Sequence, residues 1–373
     1  MMRSRRSRSS PSRSSKRWTR ARAPWCARRW RGREAARVSG PLLALRPRAL
    51  GDVVLVTPAL RALAAGHPGA ELDVVTEARY APLLEGLPGI ARVWPLERSG
   101  AATAALARRL AARRYAAAVD FFGNPRTAFL CARTRAPLRA GYDLRGRRGA
   151  YTVRVPRTAT LPDGRREYAA ATHVRLAVAA GGRADGLDAR IALAAPAREE
   201  AERLLAAAGV GEPARTVGLV AAGTWPTKTW PLADAALFAR RLIAGGRPVL
   251  ALGGPGESDL VARLAALAPG VRVLPPCGVA ALAAVVERLA AVVGTDSGPR
   301  HVAAALGVPT FAWFGPTHPD NWNPPGAAHG HWFTDVPCRG CDRTTCPHWT
   351  CMTRLDPDEA AARVVAHLER HGR

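Results

Sequence analysis

The chain has 373 residues with 55 Lys and Arg against 29 Asp and Glu, a formal net charge of +26, and is 48% hydrophobic. That apolar content supports two domains of ordinary size, each with a core of its own. No apolar run approaches the ~20 residues of a bilayer-spanning helix, which excludes a transmembrane segment from the expected architecture.

The charge is uneven. Residues 1–39 hold 14 basic side chains and one acid, so about half of the net charge lies in that tail. Its Ser-Arg-Pro composition has no apolar periodicity and cannot build a core. It also lacks the continuous apolar centre of a secretory signal. Three readings stand: a disordered basic arm that touches anionic lipid or nucleic acid, a solvated extension without a role, or the product of a start codon assigned too far upstream. None gives the tail a part in chemistry.

From Pro41 the pattern becomes repeated strand then helix. "PLLALRP" is a short apolar run, and "DVVLVTPALRALAAG" has helical spacing. "ELDVVTEA", "ARVWPLE" and "YAAAVDFFG" are further strand candidates, separated by helical stretches such as "TAALARRLAARR". Residues 152–213 are less regular and end in a helical "REEAERLLAAAG". A second alternating series follows, with "TVGLVAAG", "RPVLALGG", "VRVLPP", "AAVVGTD" and "VPTFAWFG" as strands. Strands alternating with helices imply parallel sheets covered on both faces. The expected fold class is α/β: two Rossmann-like doubly wound parallel-sheet domains facing a cleft. The expected boundaries are 40–200 for the first domain, 201–355 for the second and 356–373 for a C-terminal helix. Ligands in such folds gather at the carboxyl ends of the strands.

Three loops there carry candidate chemistry. In "RPRALGDVVLVTPAL", Asp52 sits at the mouth of a helix, as a cap or as an exposed carboxylate able to take a proton from a hydroxyl. In "VAAGTWPTKTWPL", Thr224 and Lys228 lie between a buried strand and a helix beginning around Pro231, where backbone N–H groups and a cation can share one anion. In "VVGTDSGPRHVAAALGVP", Ser297 is a natural N-cap, Gly298 allows close backbone approach and Pro299 suits a first helical turn. His301 then points back to the same mouth. Asp296 is out of place at an anion site unless it turns to sugar hydroxyls or caps a helix.

Taken together, "LALRPRALGDVVLVTPALRAL", "GTWPTKTWPL", "LALGGPGE" and "VVGTDSGPRHVAAALGVPTFAWFGPTHP" resemble, in order and spacing, the signature segments of glycosyltransferase family 9, the lipopolysaccharide heptosyltransferases. The similarity runs from Pro41 to the C-terminus. It implies a GT-B fold, with the acceptor bound mainly by the N-terminal half and a nucleotide sugar, ADP-heptose above all, by the C-terminal half. It further implies inversion without a metal. Asp52 matches the family's general base. Thr224 and Lys228 match donor phosphate contacts, Asp296, Ser297, Gly298 and His301 the loop holding the diphosphate and sugar, and Glu257 a position near the nucleoside.

Seven cysteines do not describe a secreted disulfide scaffold, so a cytoplasmic protein is expected, with scattered Arg favouring contact with the inner face of an anionic membrane. Cys338, Cys341, Cys346 and Cys351 are spaced Cys-x2-Cys-x4-Cys-x4-Cys. They offer a structural zinc or iron-sulfur site, or two disulfides on oxidation; no catalytic metal or other cofactor is expected. Trp225, Trp230 and Trp313 flank the donor loops, as stacking platforms or as packing. The expected partners are a nucleotide-sugar donor and a glycolipid or oligosaccharide acceptor, with no specific nucleic acid. The competing readings are a nucleotide-sugar epimerase of the same architecture and a basic nucleic-acid-binding protein. A dehydrogenase is disfavoured because no Gly-x-Gly-x-x-Gly follows the first strand.

Overall fold

A computed structural model describes residues 38–372, so the expectations for residues 1–37 lie outside the described residues. The first half runs β1 (Leu42–Leu45), α1 (Leu50–Leu55), α2 (Thr57–Gly66), β2 (Leu72–Thr76), β3 (Ile90–Pro95), α3 (Gly100–Ala112), β4 (Ala117–Asp120), α4 (Pro125–Arg133), β5 (Leu138–Tyr142), β6 (Val153–Val155) and α5 (Ala169–Ala179). The second runs α6 (Ala195–Ala207), β7 (Val217–Val220), α7 (Leu232–Ala244), β8 (Val249–Ala251), α8 (Ser258–Leu267), β9 (Arg272–Val273), α9 (Val279–Arg288) and β10 (Ala291–Thr295). It continues through α10 (Gly298–Ala305), β11 (Thr310–Phe314), α11 (Pro319–Trp322), β12 (His329–Phe333), α12 (Thr350–Thr353) and α13 (Pro357–His371).

Each half carries one six-stranded parallel sheet, ordered β3-β2-β1-β4-β5-β6 in the first and β12-β11-β10-β7-β8-β9 in the second. The central strands β1 (LLAL), β7 (VGLV) and β10 (AVVGT) are buried along their whole length. They lack polar alternation because helices cover both faces of the sheet. In each sheet the strand order reverses once, between β1 and β4 and between β7 and β10. Loops leaving neighbouring strands at such a reversal diverge to opposite faces and open a crevice.

The irregular stretch 152–213 contains β6 and α5 ahead of the expected helix, α6, and β5 and β12 are two further strands outside the expected set. Those three strands, LRAGY, VRV and HGHWF, lie toward the sheet margins and mix Arg, Gly or His with apolar residues, which weakens the pattern. Helix α6 packs with α9 in the second half: Ala201 and Leu205 share a cluster with Ala283, Val285 and Val286. The C-terminal helix α13 is likewise integral to that half, with Val364 and Leu368 buried beside Phe238 and Leu242 of α7.

The halves meet along an apolar seam. Val54 and Leu83 of the first half are fully buried in the same cluster as Val286, Val302 and Val308 of the second. Each such side chain contributes roughly 1.5–3 kcal/mol on full burial. The seam brings α1 against α10 so closely that a β-carbon on Gly51 would lie 2.7 Å from His301 Cδ2, and one on Gly298 would lie 2.9 Å from Leu50 Cβ.

Candidate active site

The three candidate loops leave β1, β7 and β10, strands that flank the two order reversals. Asp52 is on the first turn of α1, where its Oδ2 accepts a hydrogen bond from Ala49 N at 3.3 Å. It therefore does serve the helix end, but its carboxylate also pairs with Arg46 and faces a cavity of about 520 Å³. Arg46 is 2% exposed at the end of β1 and donates from Nη1 to the Phe121 carbonyl at 2.6 Å. It thus holds the carboxylate from inside the fold. Sequence reasoning passed over Arg46, although an arginine closing an all-apolar strand is a signal that it has a partner.

Across the seam, Lys228 ends a short 3-10 turn, Pro226–Lys228. Its ammonium lies 2.9 Å from Asp296 Oδ2, which also accepts from the Thr317 hydroxyl at 2.9 Å. Asp296 is 2% exposed. Burial works to raise its pKa, but Lys228, His301 and Arg300 outweigh burial and hold it below the ordinary carboxylate value. The apparent misfit of an acid at an anion site is resolved in this way: Asp296 neither caps the helix nor stands free, but anchors the lysine.

Ser297 occupies the N-cap position of α10, and Gly298 and Pro299 begin the helix. The expected side-chain cap is not made. Ser297 Oγ is buried without a partner, as is His301 Nδ1. His301 Nε2 lies 3.8 Å from Asp296 Oδ1, too far for a hydrogen bond. Burial first, then the Arg300 and Lys228 cations, push the His301 pKa down to about 4 against the pull of Asp296, so the ring is neutral. Unsatisfied polar groups, a helix N-terminus and a lysine together make a place where an anion is stabilised.

The two sides share one crevice. The cavity that Asp52 faces is also lined by Trp225, whose ring centroid is 5.4 Å from Lys228 Nζ, and by Trp322, whose ring centroid is 6.4 Å from that of His301. Of the tryptophans flanking the donor loops, only Trp225 is at the cavity. Trp230 and Trp313 are each 1% exposed and packed together with centroids 4.4 Å apart, so they are core. Thr224 is exposed beside Trp225. Glu257 closes its own loop, accepting from Gly254 N at 2.6 Å, and is not part of the cavity wall.

Lys228 carries a signal that the loop pattern alone does not convey. It is one of two lysines in a chain with 55 basic residues, the other being Lys16. In a sequence that otherwise uses arginine almost throughout, Lys228 presents a compact ammonium rather than a planar fork.

The cysteine-rich segment braces this loop. Thr227 Oγ1 donates to the Arg343 carbonyl at 2.8 Å, and Trp349 Nε1 donates to the Thr227 carbonyl at 2.9 Å. From the first half, Arg166 Nη2 donates to the Gly340 carbonyl at 2.9 Å. The four thiols are free, and the Cys351 thiol is pushed up to about 11 by burial and then by Cys338, Cys341 and Cys346. Among the described residues, however, no three His, Cys, Asp or Glu side chains form a group able to hold a metal ion. The four thiols lie near enough to one another for three of them to shift the fourth, while the segment's backbone carbonyls at Arg343 and Gly340 are bonded to Thr227 and Arg166.

Comparison with known proteins identifies the family. A profile of glycosyltransferase family 9 (heptosyltransferase) matches residues 103–350. Lipopolysaccharide heptosyltransferase 1 from Pseudomonas aeruginosa is 30% identical over 364 residues, covering 88% of this chain and 98% of that protein. Two solved structures share the fold. A glycosyl transferase family 9 protein from Veillonella parvula superimposes with a TM-score of 0.77 at 19% identity, covering 91% of this chain and all of that one. The ADP-heptose lipopolysaccharide heptosyltransferase II of Escherichia coli gives 0.72 at 21% identity, covering 88% of this chain and 99% of that one. With its two doubly wound sheets and its matching sequence, the chain belongs to glycosyltransferase family 9, and it is a GT-B glycosyltransferase of the lipopolysaccharide heptosyltransferase kind.

Proposed function

We propose that this enzyme transfers a heptose from ADP-heptose, with inversion and without a metal ion, to a lipopolysaccharide core or related glycan carried by a glycolipid at the inner face of the cytoplasmic membrane. The observation that carries the proposal is the shared crevice: one cavity is lined by Asp52 of the first half and by Trp225 of the second, whose ring centroid is 5.4 Å from Lys228 Nζ. The donor is taken from the solved relative, which is an ADP-heptose enzyme.

In this reading Asp52 removes the proton from an acceptor hydroxyl while the oxygen bonds to the anomeric carbon from the face opposite the leaving group. The bond from that carbon to the diphosphate oxygen breaks, and ADP departs with the electron pair. A direct displacement of this kind inverts the centre. Negative charge grows on the diphosphate, where Lys228, the N-terminus of α10 and the unpartnered Ser297 hydroxyl receive it. These groups supply the charge that a divalent ion would otherwise provide. Thr224, exposed at the loop's start, joins the phosphate contacts, and neutral His301 donates to the donor without adding a second cation. Glu257 contacts the nucleoside through a loop that its carboxylate already orders. Arg46, paired with Asp52 and bonded to the Phe121 carbonyl, holds the carboxylate in place at the cavity.

The test is a panel of ADP-, GDP-, UDP- and dTDP-sugars with a de-O-acylated lipopolysaccharide inner-core oligosaccharide, with and without EDTA. The expected result is transfer from ADP-heptose alone, unaffected by EDTA, with the inverted anomeric configuration by NMR. Retention, dependence on a divalent ion, or release of free nucleotide with an epimerised sugar and no acceptor product would overturn the proposal.

A further inference from the structure

The cavity that Asp52 faces is also lined by a buried pair that the mechanism above does not use. Tyr142, at the end of β5, and His173, on α5, are 1% and 6% exposed, and Tyr142 Oη lies 2.7 Å from His173 Nδ1. Both line the same cavity as Asp52. His173 Nε2 is buried and has no hydrogen-bond partner.

The chemistry of the pair sets the tautomer. A phenol is a stronger acid than a neutral imidazole N–H, and an imidazole nitrogen is a stronger base than a phenol oxygen, so Tyr142 donates and Nδ1 accepts. Burial, reinforced by the Arg46 and Arg157 cations, holds the His173 pKa well below its ordinary value, so the ring carries one proton. With Nδ1 accepting, that proton is on Nε2. A buried N–H without a partner is destabilising, a cost that a bound oxygen would remove.

The carboxylates around the cavity are already committed, while Arg157, which also lines it, lies 5.9 Å from the Tyr142 ring centroid. Asp52 pairs with Arg46, Glu167 with Arg175 at 2.9 Å, and Asp342 with Arg166 at 3.3 Å. The Phe121 ring meets the His173 ring edge-on with centroids 5.9 Å apart, which fixes the imidazole plane. The His173 N–H is thus oriented before anything binds.

We propose that His173 is a specificity-determining residue of the acceptor site, its Nε2–H donating a hydrogen bond to an oxygen of the acceptor glycan, and that Tyr142 is the positioning residue that keeps that proton on Nε2. The inference rests on the glycosyl-transfer reading only for the identity of the occupant.

The experiment compares wild type, His173→Phe, His173→Gln and Tyr142→Phe, with folding checked by thermal melting. Binding of the de-O-acylated inner-core oligosaccharide is followed by calorimetry, transfer is followed by kinetics, and the histidine tautomer is read by 15N NMR. The expected outcome is an Nε2–H tautomer in wild type and loss of that single tautomer in Tyr142→Phe. Oligosaccharide Kd and acceptor KM should rise about tenfold in His173→Phe. The donor KM should stay within twofold, and His173→Gln should recover part of the loss. An Nδ1–H tautomer in wild type, unchanged oligosaccharide affinity in His173→Phe, or absence of oligosaccharide binding by wild type would overturn it. Should His173→Phe fail to fold, the tautomer and affinity of Tyr142→Phe decide the matter. Oligosaccharide binding that depends on His173 without any heptose transfer would count against the reaction and not against this inference.

Discussion

Lys228 Nζ and Asp296 Oδ2 are 2.9 Å apart, with the lysine side chain 13% and the aspartate side chain 3% exposed. The pair spans the loops after β7 and β10, the two strands between which the second sheet reverses its order. The lysine ammonium is thus held in place by a buried acid from the neighbouring loop.

Removing either member leaves the other buried without its counter-charge, which typically costs about 3 kcal/mol or more. Lys228→Met and Asp296→Asn should therefore each lower the melting temperature, and the double variant should regain most of that loss. Donor affinity should not return in the double variant, because the phosphate contact is gone. Calorimetric titration of ADP checks this, and a double variant no more stable than the singles would refute the ion-pair account.

Asp52→Asn should lower kcat by about 100- to 10,000-fold, the usual range for a general base. ADP binding should change little, since a general base acts on the acceptor hydroxyl and not on the donor. Arg46→Met should lower kcat too, and should also destabilise, because Arg46 is buried and bonded to the Phe121 carbonyl. An Asp52→Asn enzyme with wild-type turnover would remove Asp52 from the chemistry.

Gly51→Ala places a β-carbon 2.7 Å from His301 Cδ2, and Gly298→Ala places one 2.9 Å from Leu50 Cβ. Helices α1 and α10 must then separate, at a cost of roughly 1–3 kcal/mol for overpacking. Both variants should lose turnover more than an alanine at Gly69, where a β-carbon meets nothing within 4 Å and the strain comes only from a backbone φ of +83°. Urea midpoints and kcat on the three variants test the seam.

The pH dependence of stability follows from the buried histidines. His301 and His329 are pushed down to about 4, chiefly by burial, from an ordinary value of 6.5. The unfolded chain gains their protons first, so their contribution is complete above pH 6.5 and is lost as pH falls from there toward 4. Asp296, held below 3.8, acts only under that window and does not mask it. Stability should decline steadily between pH 6.5 and 4, by up to about 3 kcal/mol per histidine. His301→Gln should flatten that decline in urea titrations; an unchanged slope would show that His301 is not held neutral.

What the sequence by itself determined is local. Strand β1 is LLAL and β10 is AVVGT, and apolar runs of that length between helical stretches have few alternatives to a parallel sheet. Asp52, Lys228 and the Asp296 to His301 stretch were visible because each follows such a strand at the carboxyl end, where backbone polar groups face a crevice. β6 and β12 were not, because VRV and HGHWF lack the continuous apolar pattern of a central strand.

Partnership was left to the tertiary structure. No spacing links Lys228 to Asp296, Arg46 to Phe121, or Tyr142 to His173, since each pair is joined across separate strands or loops. The same holds for the cysteine-rich segment, whose contacts with Thr227 and Arg166 no spacing announces. Burial, and with it the charge state of Asp296, His173 and His301, depends on which helices close over them. Apolar periodicity is a property of one segment and can be read from it; electrostatic pairing is a property of two, and exists only once packing brings them together.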